Sequence, residues 1–140
     1  MKSNILKLIA NSEDDLRVLS AHLQDAIVSV ADIANLKKNR IFLLQLNRFM
    51  WEDVEKGVFR KNKRTRTVLK FDNVMGVSSK NINHSNKSGF LDFLTIESNE
   101  IKLIFSGDIV IKVCTEVIEV TLDDQGTPWN SKIKPKHKFL

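Results

Sequence analysis

The chain has 140 residues, 42% of them hydrophobic and 28% charged, with a net charge of +5. These are globular proportions, which exclude wholesale disorder, and a single cysteine excludes an internal disulfide framework or a cysteine-built zinc site. The longest apolar run, residues 41–44, is far short of the roughly 20 needed for a membrane-spanning helix, and Lys7 interrupts the only apolar stretch near the start, so no signal peptide is expected.

Residues 5–10 are short and β-branched enough for a strand. Asn11-Ser12 then breaks the pattern. Ser12 is a good helix N-cap, with Asp15 three residues on in a capping-box position, and Glu13, Asp14 and Asp15 sit where the helix dipole favours acids. Leu16, Leu19, Leu23, Ala26 and Ile27 recur at spacings of three and four, which predicts one amphipathic helix over residues 13–27.

Beyond it the period becomes two. Residues 28–33 read as a strand, 36–40 as a hairpin loop, and 41–50 as a long strand apolar on both sides at first, hence central. Residues 51–62 are irregular. Over residues 64–71, Thr65, Thr67, Leu69 and Phe71 alternate with Arg64, Arg66, Val68 and Lys70, the signature of a half-buried strand with a basic outer face. Residues 72–82 suit a strand bent at Gly76, and residues 83–89 a polar loop. Residues 90–97 and 101–106 form a hairpin, followed by a two-residue Gly107-Asp108 turn. Ile109, Ile111 and Val113 are odd-numbered, whereas Ile118, Val120 and Leu122 are even-numbered. A straight strand cannot turn both sets inward, so a bulge, kink or break is expected near residues 114–117.

Short connections force antiparallel pairing. The expectation is an α+β fold in which one N-terminal amphipathic helix packs on a strongly curved, mainly antiparallel sheet of about six to eight strands. One helix cannot cover so large a sheet, which must therefore curl towards a barrel or dimerise. Residues 1–130 form a single globular domain on this reading, and residues 131–140 a basic, loosely ordered tail.

Charge is unevenly placed. Residues 56–70 hold seven basic residues and no acid, and the last ten residues add four lysines. Removing that +7 and +4 from the total of +5 leaves −6 on the rest. The basic segment is the one feature with a functional signal: Arg60, Lys61, Lys63, Arg64, Arg66 and Lys70 form a candidate polyanion-binding ladder, with Phe59 available to stack on a base. A solvated strand face that discourages edge aggregation is the simpler account.

Other chemistry is sparse. His22 and Asp25, one helical turn apart, suit an acid–base couple or, more simply, a surface pair. His84 and His137 lie far from it in sequence. Asp123 and Asp124, with Glu116 and Glu119 upstream, suit a divalent cation or an ordinary turn. Cys114 reads as a small hydrophobe in an apolar strand. Trp51 and Trp129 read as core caps. No phosphate loop, dinucleotide fingerprint or serine elbow is present, so no cofactor, metal or catalytic residue is assigned.

His22-Leu23-Gln24-Asp25-Ala26, Leu46-Asn47-Arg48-Phe49-x-Trp51-Glu52 and Asp124-x-Gly126-x-Pro128-Trp129 resemble a family of small alphaproteobacterial proteins of unknown function (domain-of-unknown-function family 2948). The likeness runs from Leu6 to His137. It implies a bacterial, cytoplasmic, single-domain protein and supplies no activity. The lysine- and asparagine-rich composition departs from the arginine-rich character of that family, which leaves open whether any basic site uses guanidinium geometry. The expected function is a non-enzymatic binding or assembly module, with a protein partner or nucleic acid as ligand, a possible homodimer, and no membrane role. The alternative is a polyanion binder acting through residues 56–70.

Overall fold

The computed structural model describes residues 6–49, 63–82, 89–125 and 129–130, the side chains of 63, 129 and 130 excepted. The expected tail, residues 131–140, lies outside them, as do Trp51, Phe59, Arg60, Lys61, His84 and His137. In chain order come β1 (Lys7–Ala10), α1 (Glu13–Leu23), β2 (Ile27–Leu36), a 3₁₀ turn (Lys37–Asn39), β3 (Ile41–Phe49) and β4 (Lys63–Phe71). There follow β5 (Val74–Lys80), β6 (Phe90–Glu97), β7 (Lys102–Phe105), β8 (Ile109–Thr115), β9 (Val120–Asp124) and β10 (Trp129–Asn130). Every described pairing is antiparallel, in the order β1-β9-β4-β3-β2-β6-β7-β8-β5, with β10 beside the start of β4.

The α+β class and antiparallel pairing agree with the sequence reading. The strand number does not: ten described strands exceed the expected six to eight. The apolar phase shift marked a complete break, with β8 ending at Thr115 and β9 starting at Val120, and Trp129–Asn130 adds a further short strand. Nor does the hydrogen-bonded ladder close into a barrel, because β1 and β5 remain its two ends.

Two short connections bend this sheet. β4 and β5 stand six places apart, about 29 Å in a flat sheet at ~4.8 Å per strand, yet only Asp72 and Asn73 separate them. The three steps from Phe71 to Val74 reach at most about 11 Å. β8 and β9 are also six places apart, and the five steps from Thr115 to Val120 reach about 18 Å. The sheet therefore curls until its β5 end returns beside β3. Helix α1 contacts both β1 and β6, five places apart, which a helix ~10–12 Å wide touches only from inside a bend.

The two connections are stitched together at one corner. Asp72 N–H donates to Glu119 O (3.0 Å) and Glu116 N–H to Asn73 O (2.9 Å). Asn73 Nδ2 donates to Glu119 Oε1 (2.9 Å), and Arg40 Nη2 bonds Glu116 Oε1 (2.9 Å). Val74 N–H donates to Arg40 O (2.9 Å), tying β5 to the β2–β3 hairpin.

Ser12 Oγ accepts from Asp15 N–H (3.1 Å), the cap the spacing predicts, while Asp15 Oδ2 accepts from the N–H of Asn11, one residue before the cap (3.1 Å). Leu16, Leu19 and Leu23 are buried, and Ser20 Oγ accepts from Ile96 N–H on β6 (3.0 Å). The helix stops at Leu23 rather than at the predicted 27. Asp25 takes a left-handed conformation (φ 65°), and its N–H and the Ala26 carbonyl bond the Phe93 backbone instead. Ala26 kept the helical spacing only because it enters the same core. The turn after β7 also differs: three residues, Ser106 to Asp108, separate the paired Phe105 and Ile109. Both Gly107 (φ 82°) and Asp108 (φ 60°) use the left-handed region there.

The inner face is apolar towards one end and polar towards the other. Phe42, Leu44 and Leu46 of β3, Leu69 and Phe71 of β4, and Val120 and Leu122 of β9 are buried. The same alternation continues into Arg48, Thr65, Thr67 and Asp124, all buried as well. Arg48 Nε and Nη2 donate to Asp124 Oδ1 and Oδ2 at 2.9 and 2.8 Å, a two-pronged ion pair with side chains 0% and 1% exposed. Thr67 Oγ1 donates to Asp124 Oδ1 (2.7 Å) and Leu6 N–H to Asp124 Oδ2 (2.9 Å). One carboxylate thus joins β3, β4, β9 and the chain entering β1.

Breaking such a pair on one side leaves a buried charge uncompensated. Asp124→Asn and Arg48→Met are each expected to lower stability by about 3–5 kcal/mol in urea unfolding. The double variant Arg48→Met/Asp124→Asn should lose clearly less than the sum of the single losses. Additive losses would show that the two side chains are not coupled.

Candidate functional site

The strand that carries the basic ladder lies where its alternation predicts. Thr65, Thr67, Leu69 and Phe71 point into the core, and Arg64, Arg66, Val68 and Lys70 form the partly exposed outer row. Lys63 opens β4 by pairing with Asn130. Arg60 and Lys61 lie outside the described residues.

Arg64 is turned back onto its own sheet. Its Nη1 donates to the carbonyls of Asp25 (3.2 Å) and Asn47 (3.3 Å), and its guanidinium sits 5.9 Å from the centre of the Phe49 ring. Burial lowers its pKa, an effect opposed by the charges of Asp25 and Asp92, and it stays cationic. Lys70 Nζ lies 3.7 Å from Asp72 Oδ1. Asp123 shares this outer face, directly across from Val68 on β4 and Lys7 on β1. The row is therefore cationic but interleaved with acids.

A second cationic group escaped the sequence reading. Lys102 and Lys112 are directly opposite across β7 and β8, and Lys80 lies on the same outer face beside Val110. Glu100 bridges them at 3.5 Å from Lys102 Nζ and 3.2 Å from Lys112 Nζ. The hydrogen bond and charge of Lys112, then those of Lys102, hold the Glu100 carboxyl below its ordinary pKa. Only the strand register brings these residues together.

The remaining candidates disperse. His22 Nδ1 donates to Val18 O (3.0 Å), while Asp25 has left the helix. Asp124 is committed to Arg48, Glu116 to Arg40 and Glu119 to Asn73. Among the described residues no three His, Cys, Asp or Glu are grouped to hold a metal ion. Cys114 is exposed rather than buried, because its phase in β8 is opposite to that of the buried Ile111 and Val113.

One concave feature reaches from the surface down to core side chains. Where β5 returns beside the β2–β3 hairpin, a cavity of about 290 Å³ remains. Its walls are Val30, Phe42 and Ile111 from the core and the partly buried Ile33, Val77 and Ile82. Asn35 and Ser79 stand among these walls. The register places both on the inner face, since Asn35 pairs with buried Phe42 and Ser79 with buried Ile111. Beside the cavity β2 is irregular: between the pairs Val28–Leu46 and Ile33–Leu44, β2 advances five residues while β3 advances two. The three extra residues bow β2 out of the ladder.

Comparison with curated proteins finds no match. Comparison with solved structures finds none either. Among the described residues no helix is long and apolar enough to cross a membrane. The family described as protein of unknown function (DUF2948) matches residues 6–137, nearly the whole chain, and the chain belongs to that family.

Proposed function

We propose that the protein is a non-enzymatic binding module and that its ligand seat is the seam cavity between β5 and the β2–β3 hairpin. The supporting observation is the cavity itself. It is a half-open cleft of about 290 Å³, walled on its deep side by core side chains and open where polar side chains hold inner-face positions. Mouths of curled sheets are common places for small-molecule sites, and about 290 Å³ lies at the lower end of their usual size.

A neutral fluorescent probe, N-phenyl-1-naphthylamine, tests the reading. The wild-type chain is expected to give saturable fluorescence enhancement at one site per chain. Val77→Phe fills the cavity from an edge strand and should abolish most of that enhancement while the thermal unfolding midpoint holds. Absence of saturable enhancement, or equal binding by folded Val77→Phe, would remove this function.

A second reading, a polyanion binder acting through Arg60, Lys61, Lys63, Arg64, Arg66 and Lys70, is favoured by the shared outer face of Arg64, Arg66 and Lys70. Four to six phosphate contacts predict a slope of log affinity against log salt of about −3 to −5 on duplex DNA. Arg66→Ala/Lys70→Ala should make that slope shallower by about 2, and a flat salt response in the wild type would exclude this reading.

A further inference from the structure

We infer that the seam cavity takes a small uncharged molecule with an apolar body and one hydrogen-bonding end, seated with that end between Asn35 and Ser79. The inference rests on the seam cavity being a ligand seat and adds the chemistry of what fills it.

The walls fix the orientation. Phe42 and Ile111 are 2% exposed and Val30 8%, so the deep side of the cavity offers no hydrogen bond. A polar ligand group placed there would lose its water without compensation. Asn35 is exposed although its pairing with Phe42 puts it on the inner face, so its amide reaches the mouth of the cavity from inside the sheet. Ser79 is likewise exposed and on the inner face, opposite Ile111 across the β5–β8 ladder. The body of the ligand therefore lies inward and its polar end at the mouth.

The same lining decides the charge. Among the described residues lining the cavity none has an ionisable side chain. Lys80, the next residue after Ser79, is paired with Val110 and takes the opposite phase, towards the outer face. A carboxylate or ammonium at the mouth would face an amide and a hydroxyl with no counter-charge in the lining. An amide that both donates and accepts, beside a hydroxyl that does the same, suits an alcohol, a carbonyl or an amide.

Displacement of N-phenyl-1-naphthylamine by octan-1-ol and by octanoate at neutral pH tests this on the full chain. Octan-1-ol is expected to compete at least tenfold more tightly than octanoate. Asn35→Leu should keep saturable probe binding and weaken octan-1-ol about threefold to tenfold, the range expected for one lost hydrogen bond. Equal competition by octanoate, or unchanged octan-1-ol affinity in Asn35→Leu, would overturn the inference and leave the cavity standing as a site. Failure of the wild-type chain to bind the probe would instead overturn the site itself. Should Asn35→Leu not fold, Ser79→Ala on the edge strand serves the same comparison, with the same weakening of octan-1-ol expected and an unchanged affinity overturning it.

Discussion

The architecture depends on a length constraint. Two residues between β4 and β5, and four between β8 and β9, must each connect strands that lie six places apart in one ladder. No flat sheet satisfies that, so the sheet bends until one corner holds Arg40, Asp72, Asn73, Glu116 and Glu119 within hydrogen-bond reach of one another. The core, the placement of the helix and the cavity all follow. Once the sheet has curled, a single helix of eleven residues can occupy its hollow. The place where the curl brings β5 back without a continuous ladder is also where the interior remains incompletely filled.

The buried polar cluster serves the opposite end of the same curl. Arg48, Thr67 and Asp124 occupy positions that Leu or Val holds elsewhere on the inner face. A buried ion pair is weak evidence of net stabilisation, because desolvation offsets its attraction. Its geometry does specify registration, since the two prongs reach Asp124 only when β3, β4 and β9 are in the observed alignment. A shift of one residue on any of these strands would turn one partner outward.

Much of this was legible in the residue order. The Ser12 cap, the Leu16–Leu19–Leu23 face, the 36–40 hairpin and the position of the turn after β7 are local, and each was readable from a few neighbouring residues, although that turn has three residues rather than the expected two. The break between β8 and β9 was readable because it reverses the parity of the apolar residues. Arg48 and Asp124 were readable in principle: each continues the parity of a buried run, and extending that parity through a charged residue would have marked both as buried partners. The cavity, the lysine group at 80, 102 and 112, and the strand order were not readable. They depend on which distant strands meet, and no local pattern encodes that. Arg64 shows the limit from the other side. Its position on the outer row was predicted, but its attachment to the carbonyls of Asp25 and Asn47 depends on β3 and the helix end lying beside it.

The partnership of β1 with β9 has a bearing on how the chain is made. Leu6 and Asp124 meet across 118 positions, so β1 has no ladder partner among the described strands until those intervening residues have been synthesised. At ribosomal speeds of ~5–20 residues per second, that delay is roughly 6–24 s. Throughout it Leu8 and Ala10 lack their β9 partners Leu122 and Val120, and the Asp124 carboxylate that will receive Arg48 does not yet exist. β1 therefore waits for a ladder partner that lies far along the chain, and its pairing is a slow, long-range closure rather than a local one.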